Sequence, residues 1–150
     1  EGVSMMVDLY PKRCNICGGD VSFVRNSLIY GKRYGSGYAY LCERCGAYVG
    51  THKDAPTKAM GILSNIEMRK WKVRCHEIFD SLWRGKSRAQ RKREALYDWL
   101  AKKMNIPVEE CHFGYFDLEQ LKRAHRILLS VWGAPIQYDS FGNVINEVSE

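Results

Sequence analysis

Cys14-Asn15-Ile16-Cys17-Gly18-Gly19 and, with 24 residues between Cys17 and Cys42, Cys42-Glu43-Arg44-Cys45-Gly46 decide how the first third of this chain folds. In each pair two residues separate the cysteines. That spacing lets both sulfurs turn toward one ion about 2.3 Å away. Gly18 and Gly46 follow the second cysteine of each pair. There a tight knuckle needs positive φ, and backbone N–H groups point at the thiolates. Between the knuckles, VSFV (21–24) and LIY (28–30) precede the turn KRYGSG (32–37), and YAYL (38–41) follows it. The chain goes out and returns as a hairpin, bringing the second knuckle beside the first. AYVGTH (47–52) alternates as a last ribbon strand.

Other uses of four cysteines fit less well. A thioredoxin-like site needs one CxxC in a βαβ setting. Two disulfides need an oxidising compartment. Iron or redox chemistry stays open as an alternative, but sulfur fills all four positions and leaves no place for water. A closed structural zinc site is the preferred reading. A module of about 40 residues buries too little apolar surface to fold without such a staple.

The whole chain, 150 residues with 45% hydrophobic content, has enough for one or two small cores. No run of eighteen apolar residues predicts a membrane helix, and the signal-peptide layout is missing. The expectation is a soluble cytoplasmic protein with reduced thiols and no membrane partner.

After the ribbon, KDAPTKAMG (53–61) is rich in breakers and reads as a linker. Ser64 with Glu67 predicts a capping box, and Met68, Trp71, Cys75, Ile78, Phe79 and Leu82 follow helical spacing toward a stop at Gly85. Ser87 with Gln90 predicts a second capped helix to about Lys103, with Leu96, Trp99, Leu100 and Met104 as its stripe and Asn105 and Pro107 ending it. Asp117 with Gln120 predicts a third. Its face is Leu121, Ala124, Leu128, Val131 and Trp132, and Gly133 and Pro135 terminate it. IQYDSFGNVIN (136–146) reads as a hairpin turning at 140–143. The four tryptophans are expected to fill the helical core. The fold class is therefore α+β: a zinc ribbon with four cysteine ligands at 1–55, then a helical domain at 56–150 with three helices and a short C-terminal hairpin.

Charge is unevenly spread. The formal net charge is +6, yet residues 84–104 alone hold eight Lys/Arg against two Asp/Glu. Zinc with four thiolates lowers the total by two and makes that segment stand out further. Arg84, Lys86, Arg88, Arg91, Lys92 and Arg93 occupy a helix connection and the first turns of a helix. Cations there oppose the helix dipole at about 0.3–1 kcal/mol each. A bound polyanion offsets that cost, since phosphates favour helix N-termini. The plain alternative is a solvated face, partly neutralised by pairing of Glu94 and Asp98 with Lys102 and nearby cations. A smaller cluster, Arg25, Lys32 and Arg33, interleaves with Tyr30, Tyr34, Tyr38 and Tyr40, a pattern able to stack bases, although tyrosines also simply favour strands.

The histidines raise a third possibility. His76 and Asp80 stand one helical turn apart, and with His52 and His112 they could form a hydrolytic centre. No nucleophile elbow, P-loop or HExxH accompanies them. Cys75-His76 and Cys111-His112 raise the question of a second metal site, but adjacent helical residues point about 100° apart, so Cys75 and His76 are poor shared ligands.

Taken in order, CNICGG, YGKRYGSGYAYLCERCGAYVGTHK, LSNIEMRKWKVRCHEIFDSLW, SRAQRKREALYDWLAKKMNI and CHFGYFD resemble a zinc-finger-containing domain family of unknown function found in phage and prophage genomes. The resemblance covers about residues 14–128, and AYVGTHK and CHFGYFD are its more specific parts. It implies a phage-encoded protein in a bacterial cytoplasm, with Cys14, Cys17, Cys42 and Cys45 as ligands of one structural zinc. It implies no activity, but it draws attention to His52 and His112. The expected function is binding of nucleic acid, or of a host nucleoprotein complex, through the basic helical segment. The alternatives are inhibition of a host or defence factor by protein contact, and a metal-dependent nuclease.

Overall fold

The computed structural model describes residues 7–132 and 136–146. The chain divides into two compact units, Glu1–Arg69 and Lys70–Glu150.

The first unit is built on an antiparallel sheet of β1 (Val21–Arg25), β2 (Tyr38–Cys42), β3 (Tyr48–His52) and β4 (Ala55–Ala59), in that spatial order. Register places Phe23 opposite Tyr40 and Tyr40 opposite Val49. The period-two alternation sends Tyr40, Cys42 and Val49 inward. There they meet Cys14, Ala47, Ala59 and Leu63. Two members of this small core are metal-ligand candidates, so core and cage are one object.

Two segments differ from expectation. LIY is not a strand: Ser27–Tyr30 forms a single helical turn, α1, closed by Gly31 at φ 81° with its N–H on the Ser27 carbonyl. Leu28 is exposed there, so the short apolar run reflected no buried face. KDAPTKAMG is not a linker, because it contains β4. Pro56 is tolerated because β4 is an edge strand, and a bulge separates the pairs Thr51–Ala59 and His52–Ala55.

α2 (Ile66–Ser81) starts in the first unit and runs on into the second. Its cap is Asn65, not Ser64: Asn65 Oδ1 accepts the Met68 N–H at 2.8 Å. Ser64 is committed elsewhere, its backbone exchanging both hydrogen bonds with Tyr48. Tertiary pairing moved the helix start by one residue.

In the second unit α2 contributes Cys75, Ile78 and Phe79 to the core. α3 (Ala89–Met104) buries Leu96, Trp99, Leu100, Ala101 and Met104, and packs against α4 (Leu118–Leu129). Between them, single 3-10 turns at Val108–Glu110 and Phe113–Tyr115 insert Phe113, which meets Phe79 and Phe116 edge-on. The expected C-terminal hairpin is present as β5 (Gln137–Tyr138) and β6 (Val144–Asn146). Asp139 shapes its turn by accepting the Phe141 and Asn143 N–H groups.

Ser87 and Gln90 do not form a capping box. Arg88 takes the N-cap position of α3 in the left-handed region, φ 53°, with no side-chain cap. At the other end Asn105, φ 59°, closes α3 as expected. Trp132 is 59% exposed rather than part of the third helix's face. α4 stops at Leu129, and the turn that follows keeps Val131 inside and carries Trp132 out. The expected terminators Gly133 and Pro135 lie outside the described residues. Of the four tryptophans only Trp99 is buried, while Trp71 and Trp83 are half-buried.

α4 begins as predicted. Asp117 Oδ1 accepts the Gln120 N–H at 2.9 Å, and Gln120 Oε1 accepts the Asp117 N–H at 3.0 Å. Replacing Asp117 with alanine removes the half of this box that the carboxylate supplies, leaving the Gln120 N–H without its acceptor, while the backbone N–H of residue 117 can still reach Gln120. The expected result is a loss of about 1 kcal/mol in the unfolding free energy of the second unit, read by urea denaturation.

Candidate functional site

The two knuckles repeat one geometry. Cys14 N–H donates to Gly19 O and Gly18 N–H to Cys14 O, both at 2.9 Å; in the second, Cys42 N–H donates to Ala47 O and Gly46 N–H to Cys42 O, at 2.8 and 3.1 Å. Gly18 and Gly46 hold φ of 76° and 81°, as the sequence requires. The turns aim backbone N–H groups at sulfur: Ile16 at Cys14, Gly19 at Cys17, and Arg44 at Cys42, at 3.3–3.4 Å.

The four sulfurs lie within 4.8 Å of one another. Cys14–Cys45 is 3.7 Å and Cys17–Cys42 is 3.5 Å. Four bonds of about 2.3 Å to a tetrahedral ion set sulfur–sulfur edges of about 3.8 Å, so the donors fit zinc closely. The electrostatics agree. The Cys42 thiol is lowered to about 6, chiefly by the Cys45 backbone N–H. The Ala47 N–H lowers the Cys45 thiol, yet burial and the three neighbouring sulfurs together carry it up to about 12. Sulfurs this close resist joint ionisation, and a divalent cation removes that conflict. Cys14, Cys17, Cys42 and Cys45 hold one structural zinc ion.

The model of a zinc-finger-containing domain, DUF3268, matches residues 10–131. The chain belongs to that family. No curated protein and no solved structure shows significant similarity to it. Among the described residues of this zinc-finger-containing domain, the four thiols form the one group of three or more His, Cys, Asp or Glu side chains close enough to share an ion. No helix of the described residues is long and apolar enough to cross a membrane.

The cage carries supports that spacing did not reveal. A Cβ on Gly19 would stand 2.8 Å from Arg44 Cβ and 3.2 Å from Cys42 Sγ, so only glycine lets the knuckles close. The Asn15 side chain brackets Leu63, donating to its carbonyl at 3.0 Å and accepting its N–H at 2.9 Å. That ties the first knuckle to the segment entering α2. The glycine doublet was a visible signal for the first; nothing local announced the second.

The other two cysteines are inert by contrast. Burial pushes the Cys75 and Cys111 thiols up to about 12, and Cys75 Sγ–H points at Leu121 O. They behave as small hydrophobes.

In the basic segment Arg84, Lys86, Arg88 and Arg91 are exposed, while Lys92 and Arg93 are half-buried. Arg84 pairs with Asp80 at 3.2 Å. The expected pairing of Glu94 and Asp98 with Lys102 is not formed; Glu94 instead accepts from Gln90. Aromatic rings surround the cations. Arg93 lies 5.0 Å from the Tyr97 ring and 5.7 Å from Trp83, Lys92 lies 5.0 Å from Tyr138, and Arg88 lies 5.8 Å from Phe141. Arg91 Nε donates to Asn143 Oδ1. In the ribbon, Arg25, Lys32 and Arg33 are all exposed.

His52 belongs to the first unit and His76 and His112 to the second, where His76 packs edge-on against Phe113 at 4.7 Å and the Arg93 charge acts on both imidazoles. His52 lines a groove of the first unit. His76 and Asp80 share a shallow groove on α2 with Lys72 and Arg84. The His112 ring lies tilted against Tyr115 at 4.6 Å and Tyr97 at 6.2 Å. Partial removal from water lowers the pKa of His76 and His112 below the ordinary value. A lowered folded-state value means the unfolded chain binds more protons, so this contribution to stability is lost as pH falls below about 6.5. The expected NMR titration has both imidazoles titrating below the ordinary histidine value, with the second unit weakening as pH falls below that value.

Proposed function

We propose that this zinc-stapled protein binds nucleic acid, holding the phosphate backbone against Arg84, Lys86, Arg88, Arg91, Lys92 and Arg93. One observation carries the reading: the segment's charge is not neutralised from within. Residues 84–93 hold six cations and no carboxylate. Among the described residues, Arg84–Asp80 is the ion pair that involves them. The ring contacts of Arg88, Lys92 and Arg93 hold the cations in place without cancelling their charge. The start of α3 has no side-chain cap, so its free N–H groups add positive potential to the same place. A solvated face would disperse such charge. A polyanion repays its concentration.

No base-reading motif accompanies the segment, so its contacts are to the backbone and position rather than specify. As part of the same proposal, the setting is the cytoplasm of a bacterium carrying a phage or prophage, where thiols stay reduced. Fluorescence anisotropy with labelled duplex and single-stranded DNA, titrated at several salt concentrations, tests the reading. Absence of salt-dependent binding to either would refute it.

A further inference from the structure

A groove of about 540 Å3 opens on the first unit, away from the basic segment in the chain. That volume is ordinary for a small-molecule site. Its walls include Tyr30, Tyr34, Tyr38, His52, Lys53 and Met60, and no carboxylate of the described residues lines it. Arg33 lies alongside, its guanidinium packed over Gly37 so closely that a Cβ there would stand 2.8 Å from Nε.

The tyrosines are displayed rather than buried. Tyr34 is 69% exposed and Tyr30 43%. Rings so placed gain little from folding, yet their backbones are held firmly. Asn26, only 3% exposed, brackets Tyr34: its Nδ2 donates to the Tyr34 carbonyl and its Oδ1 accepts the Tyr34 N–H. The Asn26 carbonyl also accepts the Ile29 and Tyr30 N–H groups, at 3.0 and 2.9 Å. One buried amide residue thus fixes both walls. Tyr30 stands edge-on to Tyr34 at 5.9 Å and to Tyr48 at 5.8 Å, and the Arg69 guanidinium lies 4.0 Å from the Tyr48 ring. Pre-set exposed rings beside cations lower the ordering cost of a flat aromatic ligand.

We infer that this groove takes one unstacked base of a single-stranded nucleic acid. The base stacks on the face of Tyr34, the more exposed ring, with Tyr30 walling it from the side, His52 meets its polar edge, and Lys53 and Arg33 face the flanking phosphates. Bases in a duplex offer edges only, whereas a single strand offers the ring faces that tyrosines recognise. The inference shares with the backbone reading only the class of ligand, and it assigns a separate site.

The test compares a fluorescein-labelled oligothymidine strand with an abasic strand of the same length, by anisotropy at one salt concentration. The wild-type protein is expected to bind oligothymidine about tenfold tighter or more. Tyr34→Ala is expected to weaken oligothymidine binding roughly ten- to hundredfold while leaving the abasic strand unchanged. Tyr34→Phe, which keeps the stacking face, retains wild-type affinity, and zinc content stays at one per chain in each variant. Equal affinity for the two strands overturns the inference, as does a change of less than about twofold in both Tyr34→Ala and Tyr30→Ala. Thymidine monophosphate binding as tightly as the strand overturns the assignment to a strand. Reversing charges in 84–93 weakens both strands alike and preserves their ratio, so failure of the backbone reading shows separately as indifference to that change.

Discussion

Replacing Cys42 with serine is expected to abolish zinc binding and unfold the first unit. Cys42 closes β2 and is 1% exposed, and with Cys14 it belongs to a core whose other members are Tyr40, Ala47, Val49, Ala59 and Leu63. So few apolar side chains supply only a few kcal/mol against chain entropy. Zinc in comparable small modules contributes an apparent stabilisation of about 10–16 kcal/mol near neutral pH. The metal therefore dominates the balance. Elemental analysis is expected to fall from one zinc per chain to none. Amide signals from β1 to β4 should lose their dispersion in an NMR spectrum, while those of α3 and α4, which have a core of their own, keep theirs. Strong chelation of the wild type should reproduce the change. Cys75→Ser is the control: it buries a hydroxyl and costs about 1–3 kcal/mol, yet retains zinc. A metal-free first unit with native dispersion would remove the basis for treating the cysteines as its staple.

The knuckles were legible because their chemistry is local. Two residues between cysteines and a glycine after them fix the turn whatever surrounds it. The start of α4 was legible for the same reason, since Asp117 and Gln120 cap each other without outside help. Where a distant partner competed, the sequence misled. Ser64 is as good a cap as Asn65 in isolation, and only its pairing with Tyr48 takes it out of use. Pro56 argued against a strand until β4 proved to be an edge. The basic segment was plain from composition. Its ring neighbours Tyr138 and Phe141 were not, because they come from a hairpin more than forty residues downstream. The Asn15 and Asn26 brackets were invisible for a related reason. An asparagine that holds another residue's backbone leaves no periodic trace.

Steep salt dependence is the second large effect expected. If the six cations of 84–93 each neutralise a phosphate of duplex DNA, the logarithm of affinity should fall with the logarithm of salt at a slope of about −5. Raising salt from about 50 to 200 mM then costs roughly a thousandfold. Reversing all six charges should remove measurable binding of duplex DNA. The more exacting test changes two. Lys86 is exposed, and Arg88 stands at φ 53°, where a Cβ is strained. Arg88→Gly therefore removes the cation while easing the backbone, and any loss of binding cannot be laid to a damaged helix start. Combined with Lys86→Ala, it should make the slope shallower by about 2 and weaken binding roughly tenfold or more at low salt. Thermal stability should hold or rise slightly, because a strained residue and like-charge crowding at the dipole's positive end are both relieved. An unchanged slope with weakened affinity would mean that these side chains act through shape and not through phosphate. An unchanged affinity would place the nucleic-acid surface elsewhere on the molecule.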